Sequence, residues 1–260
     1  MAAEKSRAIV LRTIPFGETS SVVTLFCREF GKLRALAKGA WRPKSAFDGG
    51  LDLLSTSQVL VLRKSSGGLD LLTEACLERR FRVGTSLPAV VGGMHVAELL
   101  DVLTVEADPQ PELFDVADAI LRELSASAAP AEVVAAIVLW CELEFLRLTG
   151  HAPTLGRCAA CHEPVALEHR VPFGLLDGGC LCGRCRRGRR SVIAVSAPAL
   201  AQLMQLAHPA CDWRHASLPA AVGGEVRAVM NAYLSHLLDR PPGAARWLPY
   251  QQPPRRSRSG

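Results

Sequence analysis

Two Cys-x-x-Cys pairs constrain the fold of this 260-residue chain more than any other feature of its sequence. The first pair is Cys158 and Cys161, the second is Cys182 and Cys185, and twenty residues lie between them. Each pair can turn two thiolates toward one ion, and this spacing is close to that of tetrahedral zinc sites. The sequence therefore predicts a closed, structural Zn²⁺ site in a ribbon that has too little core to fold alone.

Other uses of these cysteines fit the sequence less well. A thioredoxin-like motif is expected near a βαβ pattern, which the neighbouring residues lack. A zinc deaminase requires H-x-E and P-C-x-x-C, whereas His162 and Glu163 are adjacent and no proline precedes either pair. Buried cysteines without a metal are a third interpretation. A fifth cysteine, Cys180, is an alternative to Cys182 as a ligand.

The composition is that of a globular protein, with 49% hydrophobic and 21% charged residues. The first ten residues contain charges where a secretory signal needs apolar residues, and no apolar run approaches the roughly 20 residues that span a bilayer. We therefore expect a cytoplasmic protein with no membrane partner, in which the nine cysteines are reduced. Reducing conditions favour metal binding over disulfides.

The hydrophobic periodicity changes near residue 81 from that of strands to that of helices. Before this point, five short alternating or β-branched segments are separated by glycine-containing turns, which predicts a small OB-type barrel. After it, apolar residues recur at helical spacing on both sides of the cysteine region. The predicted fold class is α+β, with an N-terminal OB-fold barrel followed by an α-helical domain that contains an inserted four-cysteine zinc ribbon. The predicted bounds are 1–80 for the barrel, 81–153 for the first helical part, 154–192 for the ribbon, 193–248 for the C-terminal helices and 249–260 for a disordered basic tail.

The net charge of +5 is unevenly distributed along the chain. Residues 1–80 contain 13 Lys and Arg against 8 Asp and Glu, residues 81–150 contain 3 against 11, and residues 151–260 contain 14 against 6. This distribution predicts two basic surfaces for an anionic partner and an acidic segment that faces something else. The alternative is that these charges form solvated faces without a partner.

Two basic clusters are candidate phosphate-binding sites. The first lies on a predicted strand and the loop after it, where alternation places Lys32, Arg34 and Lys38 on the outer side. Trp41, in that loop, either stacks on an unpaired base or covers the barrel mouth. The second cluster begins on the second cysteine pair, and its arginines either bind phosphates or keep the module soluble. The predicted DNA-binding residues are Arg34, Lys38, Trp41, Arg42, Lys44, Arg184, Arg186, Arg187, Arg189 and Arg190.

Catalytic motifs are missing from the sequence. It contains no Walker A motif, no HExxH and no GxSxG, and the carboxylates of the middle segment have no paired spacing suited to catalysis. A nuclease would need a carboxylate cluster for magnesium, which the sequence does not suggest. We therefore expect that the protein is not an enzyme.

Three stretches, in this order, resemble the RecO family of bacterial recombination mediators. They are residues 8–45, residues 95–124, and residues 145–164 leading to 178–185. The resemblance implies an N-terminal OB fold and a helical domain with an inserted zinc ribbon, and His162 stands where the first cysteine turn of this family usually has glycine. The family's basic strand and loop fall on Arg34, Lys38, Arg42 and Lys44, and its zinc ligands fall on Cys158, Cys161, Cys182 and Cys185.

The resemblance also implies a function and its partners. It implies binding to single- and double-stranded DNA, annealing of complementary strands, and contact with the C-terminal tail of single-strand-binding protein (SSB). It further implies work with RecR to place RecA on SSB-coated DNA. We therefore predict a nucleoid-associated DNA repair mediator. The alternative is an adaptor whose OB fold and zinc ribbon bind proteins, with basic patches that serve solubility.

Overall fold

The chain forms two compact units, one within residues 1–128 and one within residues 129–260. The five-part division predicted from the sequence stays a prediction. The basic tail was predicted to be disordered over residues 249–260, and its residues from position 251 onward lie outside the described residues. Tyr250, at the start of this predicted tail, is described, and its hydroxyl donates a hydrogen bond to the Leu218 carbonyl over 3.1 Å. The structure, a computed structural model, describes residues 3–47, 49–64, 68–126 and 130–250.

Five strands close into a barrel in the order β1-β2-β3-β5-β4. β3 and β5 pair in parallel and the other neighbours pair antiparallel. Alternate residues of each strand, such as Leu33 and Ala35 of β3, are buried inside the barrel. Closure with this order is that of an OB fold, which confirms the predicted barrel. The strands are β1 (Ala3–Phe16), β2 (Ser20–Cys27), β3 (Gly31–Ala37), β4 (Thr56–Leu62) and β5 (Asp70–Arg79).

Two helices, α1 (Leu87–Leu103) and α2 (Pro111–Ala126), complete the first unit. Helical periodicity predicts α1 only from Met94 onward, because proline and two glycines interrupt its first turns. Gly93 is needed for packing, since a Cβ atom there would collide with the side chains of Phe81 and Leu54. The start of this helix therefore depends on close packing, which periodicity does not reveal.

Acidic residues of the two helices pair with basic residues of the barrel. The Lys32 ammonium lies 3.3 Å from the Asp101 carboxylate. Arg28 donates two hydrogen bonds, of 2.8 and 2.9 Å, to the carboxylate of Asp115. The acidic segment, which was predicted to face something other than the anionic partner, thus neutralises part of the barrel's own positive charge.

Asp118 of α2 has a side chain that is only 4% exposed. It accepts hydrogen bonds from Arg7, Arg79, Arg122 and Thr56. Burial raises the pKa of this carboxyl, but the hydrogen bonds and charges of these neighbours outweigh burial and hold the pKa below its usual value. The carboxylate therefore links the helix to the barrel in its charged form.

We expect Asp118 to stabilise the protein at neutral pH and to lose this contribution in acid. Because its folded pKa is below its unfolded pKa, the contribution is complete above the unfolded value and disappears as the pH falls through the folded value. Urea unfolding at a series of pH values should show a steeper acid loss of unfolding free energy for the wild type than for Asp118→Asn. The control Glu74→Gln, at an exposed position on β5, should follow the wild type, and parallel profiles for Asp118→Asn would contradict the expectation.

The described residues of the second unit form three α-helices, a short 3₁₀ helix and a three-stranded sheet of order β7-β6-β8. No helix within the described residues of the chain is long and apolar enough to cross a membrane. Ser196 caps the helix that begins at Ala197, since its Oγ accepts a hydrogen bond from the Ala199 N–H. The elements are α3 (Ala131–Leu148), β6 (Arg170–Gly174), β7 (Gly179–Cys180), β8 (Val192–Ser196), α4 (Ala197–Leu206), α5 (Ala220–Leu237) and a short 3₁₀ helix, Ala245–Trp247.

A buried ion pair joins α3 to α5. Arg227 donates hydrogen bonds of 2.7 and 2.6 Å to the two carboxylate oxygens of Glu142, and the two side chains are 3% and 0% exposed. The Arg227 Nε also donates to the Asn231 side chain over 3.0 Å. A buried charge is strongly destabilising once its partner is removed, so this pair couples the two helices.

Candidate metal centre and basic surfaces

The four paired cysteines meet at one point of the second unit. Their sulfur atoms, from Cys158, Cys161, Cys182 and Cys185, all lie within 4.8 Å of one another. The Cys161 and Cys182 sulfurs are 3.8 Å apart. A tetrahedral ion with bonds of about 2.3 Å separates its sulfur ligands by about 3.8 Å. The four side chains therefore fit a closed tetrahedral metal site.

Two tight backbone turns form the cysteine cluster. In the first, the His162 N–H donates to the Cys158 carbonyl over 2.8 Å, and in the second the Arg186 N–H donates to the Cys182 carbonyl over 2.9 Å. His162 has a φ of 61°, a left-handed conformation that glycine adopts with less strain. The first turn therefore forms even though a side chain occupies its left-handed position.

Backbone N–H groups favour the thiolate form of two of the four cysteines, Cys158 and Cys182. Burial raises the pKa of Cys158, but hydrogen bonds from the backbone of Cys182, Ala160 and Cys161 outweigh it and lower the pKa to about 6. The Cys185 N–H lies 3.4 Å from the Cys182 sulfur, and this hydrogen bond lowers the pKa of Cys182. Because metals bind cysteine as thiolate, these N–H groups support metal binding.

Cys180 lies outside the group of four clustered sulfurs. It is fully buried on β7, where it pairs with Phe173, and its N–H donates to the Thr154 carbonyl over 2.7 Å. Burial raises the pKa of its thiol to about 12, so the neutral form prevails. This geometry favours Cys182 over Cys180 as the fourth ligand.

The five arginines of the second basic cluster differ in their partners. Arg189 lies 3.0 Å from the Asp177 carboxylate. Hydrogen bonds to the sulfurs of Cys161 and Cys185 raise the pKa of Arg184. These two guanidinium groups are therefore engaged within the ribbon. The other three side chains, Arg186, Arg187 and Arg190, are exposed and have no ion-pair partner among the described residues.

The predicted basic residues of the barrel are exposed at the end of β3 and in the loop that follows. Trp41 is 61% exposed, and its indole N–H donates to the Ser21 hydroxyl over 2.9 Å. A groove of about 730 Å³ lies beside it. Basic side chains from Arg42, Lys44 and Arg80 line this groove. All five residues of the barrel that were predicted to bind DNA are exposed: Arg34, Lys38, Trp41, Arg42 and Lys44.

Two exposed residues of β1 were missed by the sequence analysis. Arg12 points outward from the barrel, and Phe16, at the end of the strand, is 57% exposed. Alternation is interrupted just before Arg12, because Ile9, Val10 and Leu11 are all buried and the strand register shifts between Val10 and Arg12. The alternation could not show which strands would lie beside β1, so it could not connect Arg12 with the basic residues of β3.

Comparisons with known proteins cover both units. Residues 1–81 match the family model described as Recombination protein O N terminal, and residues 85–246 match Recombination protein O C terminal. A DNA repair protein RecO from Rhodopirellula baltica is 40% identical over 202 residues, which cover 77% of this chain and 73% of that protein. Its counterpart from Salinibacter ruber is 36% identical over 67% of this chain and 65% of that protein. The DNA repair protein RecO from Anaeromyxobacter dehalogenans is 33% identical over 94% of this chain and 95% of that protein.

Proposed function

The chain belongs to the RecO family of DNA repair proteins, and we propose on this basis that it is a non-enzymatic recombination mediator. In this role it binds single- and double-stranded DNA and anneals complementary strands. With RecR, it helps to load RecA onto SSB-coated single-stranded DNA, and it binds the C-terminal tail of SSB. It acts in the cytoplasm, at the nucleoid. Family membership supports these partners and this location.

The metal of the cysteine site is, in this proposal, Zn²⁺. Four thiolates in a tetrahedral arrangement suit this ion, and they occupy every coordination position. Because no position remains for water or substrate, the ion serves to fold the ribbon. The ribbon then holds its exposed arginines in a defined arrangement.

The observation that carries the proposal is the set of exposed cations on both units that have no ion-pair partner among the described residues. Lysine and arginine bind the phosphates of either strand form and release counterions from DNA. Such contacts position nucleic acid without reading its base edges. Annealing follows if each basic surface binds one strand and the cations offset the repulsion between the two phosphate backbones.

We expect the double variant Arg186→Ala/Arg187→Ala to bind DNA with a weaker dependence on salt. Each phosphate contact that is lost reduces the slope of log affinity against log salt concentration by about one. Fluorescence anisotropy of a labelled oligonucleotide at several salt concentrations measures this slope. Arg189→Ala removes one positive charge from the same loop, whereas the double variant removes two. Because this guanidinium already pairs with Asp177, its slope should change by less than half as much.

The outcome that contradicts this role of the ribbon is a double variant whose slope equals that of the wild type.

A mobility-shift experiment with single-stranded DNA at physiological salt separates the mediator from the protein-binding adaptor. The adaptor alternative predicts no shift. Annealing of SSB-coated complementary strands, with and without RecR, tests the mediator function itself, and no annealing in either case would contradict it.

A further inference from the structure

The segment that follows α5 is basic along its whole length. Residues 240–260 contain five arginines and no acidic residue. Arg240 and Arg246 are exposed and have no ion-pair partner among the described residues. The match to the C-terminal family model stops at residue 246, so most of this segment lies beyond the region that the model covers. The other three arginines, which belong to the part of the chain that the structure does not describe, are Arg255, Arg256 and Arg258.

Buried side chains fix the described part of this segment to the second unit. Ala245 and Leu248 are only 4% and 3% exposed. The Tyr250 ring lies so close to Gly223 of α5 that a Cβ atom added there would come within 2.9 Å of it. The Tyr250 hydroxyl is bonded to the Leu218 carbonyl. The backbone around position 247 is therefore held in place, and the chain beyond Tyr250 starts beside the beginning of α5.

Trp247 is the large apolar side chain that this fixed segment presents to solvent. Its side chain is 67% exposed, although its backbone lies between the buried Ala245 and Leu248. The guanidinium carbon of Arg246 lies 5.3 Å from the centre of a Trp247 ring. Packing within the protein does not account for an indole in this position. An exposed indole beside a guanidinium offers a stacking surface and a positive charge at the same point.

We propose that this segment is a further binding site for an unpaired DNA strand, with Trp247 stacked on a base and Arg246 on the neighbouring phosphate. The arginines beyond Tyr250 continue the contact along the phosphates of the same strand. An unpaired strand presents base faces and an anionic backbone together, which match the indole and the arginines. The inference rests on the proposed function and adds a strand site in a segment that belongs neither to the barrel nor to the ribbon.

The first test compares Trp247→Leu with Trp247→Phe in the full chain. Both variants keep an apolar side chain, but only phenylalanine keeps a ring that can stack on a base. Trp247→Leu should weaken binding of a single-stranded oligonucleotide about five-fold or more in fluorescence anisotropy, whereas Trp247→Phe should stay within about two-fold of the wild type. A duplex of the same sequence hides its base faces, so it should bind both variants alike. Because the indole is exposed, both variants should keep the wild-type melting temperature.

The second test changes the three arginines beyond Tyr250 to glutamine, which removes their charge and keeps the length of the chain. The slope of log affinity for single-stranded DNA against log salt concentration should fall by about two, since each phosphate contact on a single strand contributes about 0.7. The matched control changes the same three residues to lysine. It retains the charge and should retain the slope.

The failure of this inference is distinguishable from the failure of the proposed function. A wild type that binds no DNA contradicts the proposed function. If the wild type binds DNA, equal affinities of Trp247→Leu and Trp247→Phe overturn the stacking, and so does a loss by Trp247→Leu that is the same for both strand forms or accompanies a lower melting temperature. An unchanged salt slope in the glutamine variant overturns the phosphate contacts. Normal DNA binding by all variants together with loss of a protein partner would overturn the inference and make the segment a protein-docking site.

Discussion

A Cys182→Ala variant should lose the bound metal and the folded structure of the ribbon. The remaining three sulfurs cannot complete the tetrahedral set, and binding energy at a structural zinc site is folding energy. Its magnitude is about 10 kcal/mol or more in isolated zinc fingers, far above the stability that a ribbon of this size obtains from its own core. Metal content by mass spectrometry and protease cleavage within residues 154–192 measure the two losses.

The same substitution at Cys180 is the matched control, because it also removes one sulfur from the same segment. Cys180 is buried outside the group of four, so Cys180→Ala should retain one metal ion per chain and resist the protease. Metal retained by Cys182→Ala and lost by Cys180→Ala would reverse the ligand assignment. If Cys182→Ala loses DNA binding together with the metal, this would further indicate that the folded ribbon holds Arg186 and Arg187 in place for DNA.

The second large effect concerns the ion pair between Glu142 and Arg227. Glu142→Gln keeps the shape of the side chain but leaves the guanidinium of Arg227 buried without its counter-charge. We expect a loss of about 3–5 kcal/mol in unfolding free energy. Three of the four tryptophans, Trp140, Trp213 and Trp247, lie within residues 129–260, so tryptophan emission during urea unfolding reports on this unit.

A double variant separates the cost of a buried unpaired charge from a general intolerance of change. Glu142→Leu/Arg227→Met removes both charges and fills the space with apolar side chains, which is often neutral or stabilising. It should be clearly more stable than Glu142→Gln. Equal destabilisation of the two variants would contradict this expectation and would assign the effect to packing.

Local patterns were sufficient to predict most elements of the fold. Strand alternation before residue 81 predicts the five strands, and helical spacing predicts α3 and most of the other helices, because side-chain periodicity reflects which face of an element is buried. One exception is the first part of α1, where Gly93 packs against Phe81 and Leu54. Its reason lies in residues that are distant in the sequence, and periodicity within the helix cannot reveal it.

The buried ion pair was missed for a related reason. Glu142 and Arg227 are 85 positions apart and belong to two different helices. Nothing in either helix shows that the two charged side chains will be placed together away from water. Long-range pairing of this kind depends on how the helices pack, and therefore had no local signal.

The sequence by itself determined the candidate metal site, since two short cysteine turns bring their own sulfurs together wherever the turns meet. It also determined that positive charge concentrates near the barrel and the ribbon. Only the tertiary structure decided which of these cations are paired within the protein and which remain available to bind a partner. Lys32 and Arg34 look equivalent on one strand, yet Lys32 pairs with Asp101 of α1 whereas Arg34 lies in a row with Arg12. The reason is physical: alternation sets the side from which a side chain projects, but packing and strand register choose its neighbour.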